Sequence, residues 1–237
     1  MSLWLTRLAP GPASRIARDE LAGLPGTSLH RRVMSLFPDD TQGPARARYQ
    51  VLYRVEDTAR GSHLLIQSNH RPDPGRLPDG YGTLTTRPLD ALLEALQDGL
   101  PLHYRCAASP VRKPTANTRA LYNLPAVVAL KGSAADEWWQ RQAENAGLKL
   151  LSQQAQPLDT VHDRQAPAGT SSGRSGRSDG GTGKSQNNRV RHQRIRFDGT
   201  ATIADTEQLR AALVHGIGPG KAYGCGLLSI APTTDAA

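Results

Sequence analysis

The chain has few of the residues that build disulfide frameworks, metal sites or membrane spans. Its 237 residues include only two cysteines, Cys106 and Cys225, too few for a disulfide framework or a cysteine zinc site. The seven histidines form no HExxH motif and have no CxxC companion, so we expect neither a metal nor another cofactor. No run of 18 apolar residues and no N-terminal signal sequence is present. We therefore expect a soluble, cytoplasmic protein without a membrane partner.

Aromatic residues are also scarce, at 5% of the chain, although 38% of the residues are hydrophobic and a core can form. The formal net charge of +8 favours a polyanionic partner, although a basic surface is often only a solvated one. The cations are unevenly distributed. Between Arg164 and Arg196 there are eight Lys or Arg residues and a single acid, Asp179. Most of the net charge therefore lies in one segment.

The most distinctive stretch runs from Gly216 to Ile230, where five glycines, one lysine and one tyrosine precede an apolar run. Residues 205–214 before it are typical of a helix with an acidic start, and the apolar run is typical of a buried strand. The spacing matches neither a Walker loop nor a Rossmann fingerprint. Two interpretations are open: backbone N–H groups that cradle a phosphate, or a helix end whose glycines allow tight packing.

A second segment, between Thr27 and Pro38, carries a histidine beside two arginines. Its apolar residues recur at helical spacing: Leu29, Val33, Leu36 and Phe37. Thr27 or Ser28 suits the N-cap, and Pro38 ends the helix. The first turns then carry His30, Arg31 and Arg32. A helix N-terminus with two arginines favours a phosphate, while the alternative is a surface histidine on an amphipathic helix.

The order of elements predicts an α+β fold with two tandem ferredoxin-like (RRM-like) βαββαβ domains. In the first domain we expect helices at 28–37 and 88–98 and strands at 2–8, 49–55, 63–68 and 102–108. In the second we expect helices at 134–146 and from 206 onward and strands at 126–131, 148–152, 194–203 and after Tyr223. The predicted boundaries are 1–110 for the N-terminal domain, 111–124 for a basic connector and 125–237 for the C-terminal domain.

Residues 167–188 of the second predicted domain are rich in Gly, Ser and Arg and offer almost nothing to bury. We expect this arm to be disordered or to form a mobile hairpin tip. Such a segment either clamps RNA by charge or is a tolerated loop insertion. Nearby arginines favour contact with nucleic acid: Arg189, Arg191, Arg194 and Arg196.

Taken together, these segments resemble the CasE family, the CRISPR RNA endoribonucleases of the type I-E Cascade complex. Residues 216–229, with the sequence GIGPGKAYGCGLLS, nearly repeat a family signature. The other matching segments are Leu29-His30-Arg31 through Leu36-Phe37-Pro38, and Arg196-Phe197-Asp198-Gly199 followed by Ile203 and Asp205. The order of elements fits from residue 1 to about 232, so the resemblance covers essentially the whole chain.

The resemblance implies two ferredoxin-like domains side by side, a bound CRISPR repeat RNA hairpin, and metal-independent cleavage at the 3′ base of that hairpin. His30 stands where the family's catalytic histidine stands. Many relatives have a tyrosine where this chain has Thr27, and some have a basic residue where it has Ser35. The candidate catalytic residues are His30, Arg32 and Thr27. His30 would act as general acid or base and leave 2′,3′-cyclic phosphate and 5′-OH ends.

We expect the RNA to be held by the connector, the arm and the glycine-rich loop. The candidate RNA-binding residues are Arg31, Arg112, Lys113, Arg119, Arg189, Arg191, Arg194, Gly218, Gly220, Lys221, Tyr223 and Gly224. Other Cascade subunits are the expected protein partners. The alternative is a non-catalytic subunit of the same fold that binds the RNA hairpin, in which His30 is merely a surface residue.

Overall fold

The computed structural model describes residues 2–23, 26–39, 45–59, 61–162 and 191–233, with the backbone alone at 26–28, 159–162 and 191–192. The predicted arm at 167–188 and Arg189 lie outside the described residues. The strands form two antiparallel sheets, of four and five strands, and a separate two-stranded sheet. None of the helices in these ranges is both long and apolar enough to cross a membrane.

The first sheet is built from four N-terminal strands: β1 (Trp4–Pro10), β2 (Leu52–Thr58), β3 (Gly61–Ser68) and β4 (Gly82–Pro88). Their order across the sheet, β2-β3-β1-β4, is that of a ferredoxin-like fold. The accompanying helices are α1 (Arg15–Leu21), α2 (Gly26–Ser35) and α3 (Ala45–Arg48). Between β3 and β4 there is only a 3₁₀ turn, Pro74–Arg76, where the fold normally has its second helix.

A short helix, α4 (Asp90–Glu94), leads to the second unit. The remaining strands are β5 (Pro101–Ala108), β6 (Val111–Arg112), β7 (Val128–Ala129), β8 (Leu148–Leu150), β9 (Gln154–His162), β10 (Arg191–Ile203) and β11 (Leu228–Pro232). The remaining helices are α5 (Ala116–Tyr122), α6 (Ser133–Asn145) and α7 (Thr206–His215), with a 3₁₀ turn at Lys221–Tyr223. The second sheet has the order β11-β5-β10-β8, and β9 pairs with β10. This order also fits a ferredoxin-like unit.

Two ferredoxin-like units are therefore confirmed, but two longer strands, β4 and β9, were not predicted from the sequence, and two predicted strands differ in the structure. The first sheet takes its fourth strand from Gly82–Pro88, which was not predicted. The predicted strand at 102–108 instead belongs to the second sheet, where Cys106 pairs with Phe197 of β10. The predicted strand at 126–131 is reduced to Val128–Ala129, which pairs only with β6. The helix predicted at 88–98 is likewise reduced to α4.

Each unit has its own core. In the first, the predicted apolar side of α2 is buried under the sheet, with Val33 and Phe37 fully inaccessible. Since α2 begins at Gly26, Thr27 and Ser28 lie inside its first turn and not at the predicted N-cap. In the second, Trp139 of α6 stacks on Phe197, with ring centroids 4.8 Å apart.

The two units are joined by hydrogen bonds from the edge of the first sheet. The guanidinium of Arg54 on β2 is 3% exposed and donates to the carbonyl of Leu227, at 2.8 Å, and to that of Arg105, at 3.1 Å. Glu56 accepts from both Arg54 and Arg105. Gln67 on β3 donates to the carbonyl of Leu213 at the end of α7. Removing one member of the buried Arg54–Glu56 pair would leave an uncompensated charge, which is costly. Arg54 is therefore held in place, and its hydrogen bonds fix strand β2 relative to the second unit.

Candidate active site

His30 lies on α2, and the apolar side of this helix determines which way its other residues point. Leu29 and Val33 are buried in the first core, so rotation of the helix would expose them to water. This packing leaves His30 half-buried at the margin of the core. Its imidazole stacks beside the phenol ring of Tyr53 on β2, with ring centroids 6.3 Å apart and planes inclined by 28°.

The inner side of the His30 imidazole is not held by a hydrogen bond. Nδ1 is buried and has no hydrogen-bond partner among the residues that the structure describes. Burial lowers the pKa of His30 below its ordinary value of 6.5, and the positive charge of Arg46 lowers it further. Both effects disfavour the charged ring. His30 is therefore mainly neutral at pH 7 and able to accept a proton.

Arg46 links His30 electrostatically to the glycine-rich loop. It lies on α3, just before β2, and besides His30 it also lowers the pKa of Lys221, for which burial is the larger cause. The 3₁₀ turn that carries Lys221 packs against both α2 and β2. We call His30, Arg46 and Lys221 the basic cluster. The positive charge of Arg46 acts on both other members, so the cluster has a positive potential that a bound anion would relieve.

Two members of the basic cluster are predictable from the sequence, and the third is not. Lys221 was predicted from the glycine-rich loop and His30 from its helix. Arg46 belongs to a four-residue helix with the sequence ARAR and no buried residue. Such a short segment has no hydrophobic periodicity that could place its side chains. Its only signal was the pair of arginines shortly before a predicted strand.

Arg32 is engaged in an ion pair that joins α2 to α1. Its Nε and Nη2 donate to the carboxylate of Glu20 at 3.1 and 3.2 Å. Its guanidinium also lies over the ring of Tyr81, 4.6 Å from the centroid, and the Tyr81 hydroxyl donates to the same carboxylate at 2.7 Å. A phosphate could bind Arg32 only by competing with this bidentate pair. The geometry therefore gives Arg32 a structural role and offers no support for the predicted catalytic one.

The other residues predicted around His30 contribute less to this geometry. Arg31 is exposed beside His30. The Ser35 hydroxyl donates to the carbonyl of Arg32 at 2.8 Å, so the position at which some relatives have a cation carries a helix-end hydrogen bond here. Thr27 lies in the first turn of α2, where only the backbone is described.

The glycine-rich loop uses much of its backbone for internal packing. Five of its N–H groups donate to backbone carbonyls in or beside the loop, namely those of Gly216, Ile217, Tyr223, Cys225 and Gly226. A Cβ at Gly218 would lie 2.8 Å from the Trp138 ring. These contacts support the interpretation of the loop as a tightly packed helix end. RNA binding by Gly218, Gly220 and Gly224 stays a prediction.

The predicted RNA-binding cations of the connector are all on the surface. Arg112 and Lys113 are exposed at β6, and Arg119 is exposed on α5, a helix with no buried residue. These residues follow the first strand of the second unit and do not separate two domains, so they project from that unit. Arg191 lies in β10, where only its backbone is described.

A cavity of about 810 Å³ lies between the first unit and the β9–β10 hairpin. Its walls include Tyr53 and Tyr223, which flank the basic cluster, and Gly224. Three arginines from separate elements also line it: Arg7, Arg18 and Arg194. The cavity therefore extends the positive surface beside His30, and it includes three of the predicted RNA-binding residues: Arg194, Tyr223 and Gly224.

Comparison with known proteins places these features in a family. Residues 3–232 match the model of the CRISPR associated protein family. The chain is 31% identical over 240 residues to the CRISPR-associated endoribonuclease Cse3 of Thermus thermophilus, covering 97% of this chain and 100% of the relative. It is 30% identical over 211 residues to the CRISPR system Cascade subunit CasE of Escherichia coli, covering 86% of this chain and 90% of the relative.

A solved structure extends the similarity to three dimensions. The structure of Thermus thermophilus Cse3 bound to an RNA representing a pre-cleavage complex matches with a TM-score of 0.72 and 28% identity. The match covers 98% of this chain and 100% of that chain. From the family match and these two relatives, we conclude that the chain belongs to the CasE/Cse3 family of CRISPR-associated proteins.

Proposed function

We propose that this protein is a metal-independent endoribonuclease that binds the CRISPR repeat hairpin and cleaves the precursor RNA at its 3′ base. The observation that carries the proposal is a half-buried His30 on a helix against which the Lys221 turn packs, close enough to Arg46 for that charge to lower the pKa of His30. The named activity of Cse3 and its RNA-bound structure support the same conclusion. The protein would then stay as a subunit of Cascade, as the name of the CasE relative suggests.

The chemistry requires no metal because RNA carries its own nucleophile, the 2′-OH next to the scissile phosphate. His30 removes the proton of this hydroxyl, and the 2′-oxygen attacks phosphorus to form the 2′,3′-cyclic phosphate. The bond between phosphorus and the 5′-oxygen breaks, and the leaving oxygen takes a proton from water to give the 5′-OH end. A neutral imidazole is the form needed for this step, and the lowered pKa of His30 supplies it at pH 7. A general base contributes about 10²–10⁴-fold to such a reaction.

Arg46 and Lys221 supply the positive charge that the reaction needs at phosphorus. The attack produces a phosphorane with additional negative charge on its oxygens, and preorganised cations stabilise such charge most strongly where water is excluded. Lys221 is half-buried, and Arg46 acts on both Lys221 and His30. We therefore assign to these two residues the binding of the phosphate, for which the sequence had pointed to Arg31 and Arg32.

The exposed cations of the connector, together with the half-buried Arg194 on β10, would bind the backbone of the RNA hairpin. A-form RNA presents phosphates and 2′-hydroxyls, and proteins read it largely by shape and backbone contacts. Arg112, Lys113 and Arg119 project from the second unit, and Arg194 lines the cavity beside Tyr223. Together they would form a basic surface that continues from the basic cluster.

We predict that His30→Ala cleaves a repeat-hairpin RNA at least about 100-fold more slowly than the natural sequence, because it lacks the general base. Affinity for the uncleaved hairpin should remain within about twofold. The measurements are single-turnover cleavage with EDTA present and a binding titration with RNA that carries 2′-deoxyribose at the scissile nucleotide.

His103→Ala is the matched control, because His103 is an exposed histidine on β5 outside the basic cluster. It should cleave at the natural rate. Equal cleavage by His30→Ala would remove His30 from the mechanism. RNA that binds but is not cut by the natural sequence would instead identify a binding subunit, and cleavage of the 2′-deoxy RNA would exclude attack by the 2′-OH.

A further inference from the structure

The glycine-rich loop wraps around the free edge of the first sheet. β2 is the edge strand, and two consecutive side chains, Tyr53 and Arg54, reach from it to the loop. The Tyr53 hydroxyl donates to the carbonyl of Ala222, and Arg54 donates to that of Leu227. Because successive side chains of a strand point to opposite faces, the loop is held on both sides of β2.

Tyr53 is the residue that connects this loop to the histidine. One side of its ring stacks beside His30, and its hydroxyl holds Ala222, the residue after Lys221. A Cβ at Gly224 would lie 3.4 Å from the ring, so the loop also packs closely on Tyr53. One side chain therefore contacts both the general base and the turn that carries Lys221.

The imidazole is restrained by ring packing and not by a hydrogen bond to Nδ1. Catalytic histidines are commonly oriented by a carboxylate or carbonyl on the second ring nitrogen, whereas Nδ1 of His30 has no partner among the described residues. The stacked ring of Tyr53 is a contact that restrains the orientation of the imidazole. Tyr53 is itself 2% exposed, so its position is set by the core.

We propose that Tyr53 is a positioning residue that holds the His30 imidazole and the Lys221 turn at the spacing needed to act on one phosphate. This inference rests on the proposed function. Tyr53 does not itself transfer a proton, because burial raises the pKa of its phenol far above neutrality. It acts through the hydrogen bond to Ala222 and through its ring, and these two contributions can be separated by substitution.

The test is Tyr53→Phe, which removes the hydroxyl and keeps the ring beside His30. We expect the single-turnover cleavage rate at saturating protein to fall about tenfold, since a misplaced catalytic group costs one to two orders of magnitude. The dissociation constant for uncleavable hairpin RNA should change by less than about twofold, because the bulk of the RNA contacts lies elsewhere.

Tyr104→Phe is a matched control. Tyr104 is 3% exposed, and its hydroxyl also donates to a backbone carbonyl, that of Ser152, at 3.0 Å. It lies in the second core, away from His30. The two variants should lose similar thermal stability, but only Tyr53→Phe should lose cleavage rate. Equal rates for the two variants would overturn the proposal.

A double-mutant cycle separates positioning from general loosening of the fold. If Tyr53 acts by holding the Lys221 turn, Tyr53→Phe should slow the Lys221→Ala variant by less than about twofold. A full, additive loss in that background would show that Tyr53 acts elsewhere and would overturn the inference. Failure of the proposed function is distinguishable, because the natural sequence would then not cleave the hairpin at all.

Discussion

At the scale of single residues, the protonation of His30 is governed by two neighbours of different kinds: the packed core beneath it and the guanidinium of Arg46. Burial is the larger influence on its pKa and Arg46 the smaller one. Both act in the same direction, which favours a general base at neutral pH. When a phosphate binds, its negative charge opposes the positive charge of Arg46. The RNA itself would therefore raise the pKa of His30 and make its imidazole a stronger base.

We predict that Arg46→Gln moves the acid limb of the pH–rate profile to higher pH. Removing the cation raises the pKa of His30, so a larger fraction of the ring is protonated, and inactive as a base, at a given low pH. The shift should be only partial, because burial, the larger cause of the lowered pKa of His30, remains. The pKa can be measured directly from the pH dependence of the His30 ring proton resonances in the free protein.

Arg48→Gln provides the control for Arg46→Gln. Arg48 lies on the same helix, and its guanidinium is placed over the ring of Tyr49. The variant Arg48→Gln removes the same charge from the same helix. A shift of equal size in the His30 pKa of both variants would mean that net charge, and not Arg46 in particular, controls this pKa. An unchanged His30 pKa in Arg46→Gln would remove Arg46 from the basic cluster.

How much of the site was predictable depended on how far each residue's partners lie along the chain. His30 and the buried side of its helix follow from local spacing. Tyr53 lies in the strand predicted at 49–55, but its bond to Ala222 spans 169 positions, which no local pattern encodes. The same holds for Arg32, whose partner Glu20 belongs to another helix.

At the scale of elements, strand partners are the feature that local patterns determined least. The strand β4 has the sequence GTLTTRP, with one aliphatic residue, Leu84, which pairs opposite Leu8. Threonine favours strands, but an edge strand with a single aliphatic side chain, itself only half-buried, gives almost no hydrophobic signal. Once β4 was overlooked, the next strand, β5, was counted as the fourth strand of the first unit. Its two partners, β10 and β11, lie about 90 to 130 residues later.

The glycine-rich loop can be tested at this scale through Gly218, which has a positive φ of 72°. We predict that Gly218→Ala lowers the free energy of unfolding by about 2–4 kcal/mol. About 1 kcal/mol arises from the left-handed backbone, and the rest from overpacking, because the new methyl group would lie 2.8 Å from the Trp138 ring. Urea unfolding measures the change.

Gly23→Ala isolates the backbone contribution. Gly23 has a φ of 78°, and a Cβ there would meet no atom within 4 Å. It should lose about 1 kcal/mol only. If Gly218→Ala is no more destabilising than Gly23→Ala but weakens RNA binding, the loop serves as a phosphate cradle at this position and the packing interpretation is wrong.

At the scale of the whole molecule, both units repeat one arrangement of strands, and the second unit carries most of the predicted RNA-binding cations. The number and kind of elements were predicted well enough to identify two ferredoxin-like units. The position of the connector was not predicted. It projects within the second unit, between β5 and α6, because β5 pairs with β10 and therefore already belongs to the second sheet.

This placement predicts how hairpin binding responds to salt. The logarithm of the binding constant falls as the logarithm of the salt concentration rises. Replacing Arg112, Lys113 and Arg119 together by Ala should make this negative slope shallower by about 2–3, since each phosphate contact releases about one counterion. The cleavage rate at saturating protein should be retained, because none of the three belongs to the basic cluster. The measurement is a binding titration with uncleavable hairpin RNA at several salt concentrations.

The control must remove the same charge from another surface. Arg15, Arg141 and Lys149 are exposed cations on α1, α6 and β8, and replacing all three by Ala lowers the net charge by the same amount. If binding depends on the projecting connector, this variant keeps the natural slope to within about one unit, because distant exposed charges are screened at about 10 Å in 0.1 M salt. Equal slopes for the two triple variants would mean that overall charge alone attracts the RNA, and would remove the connector from the binding surface.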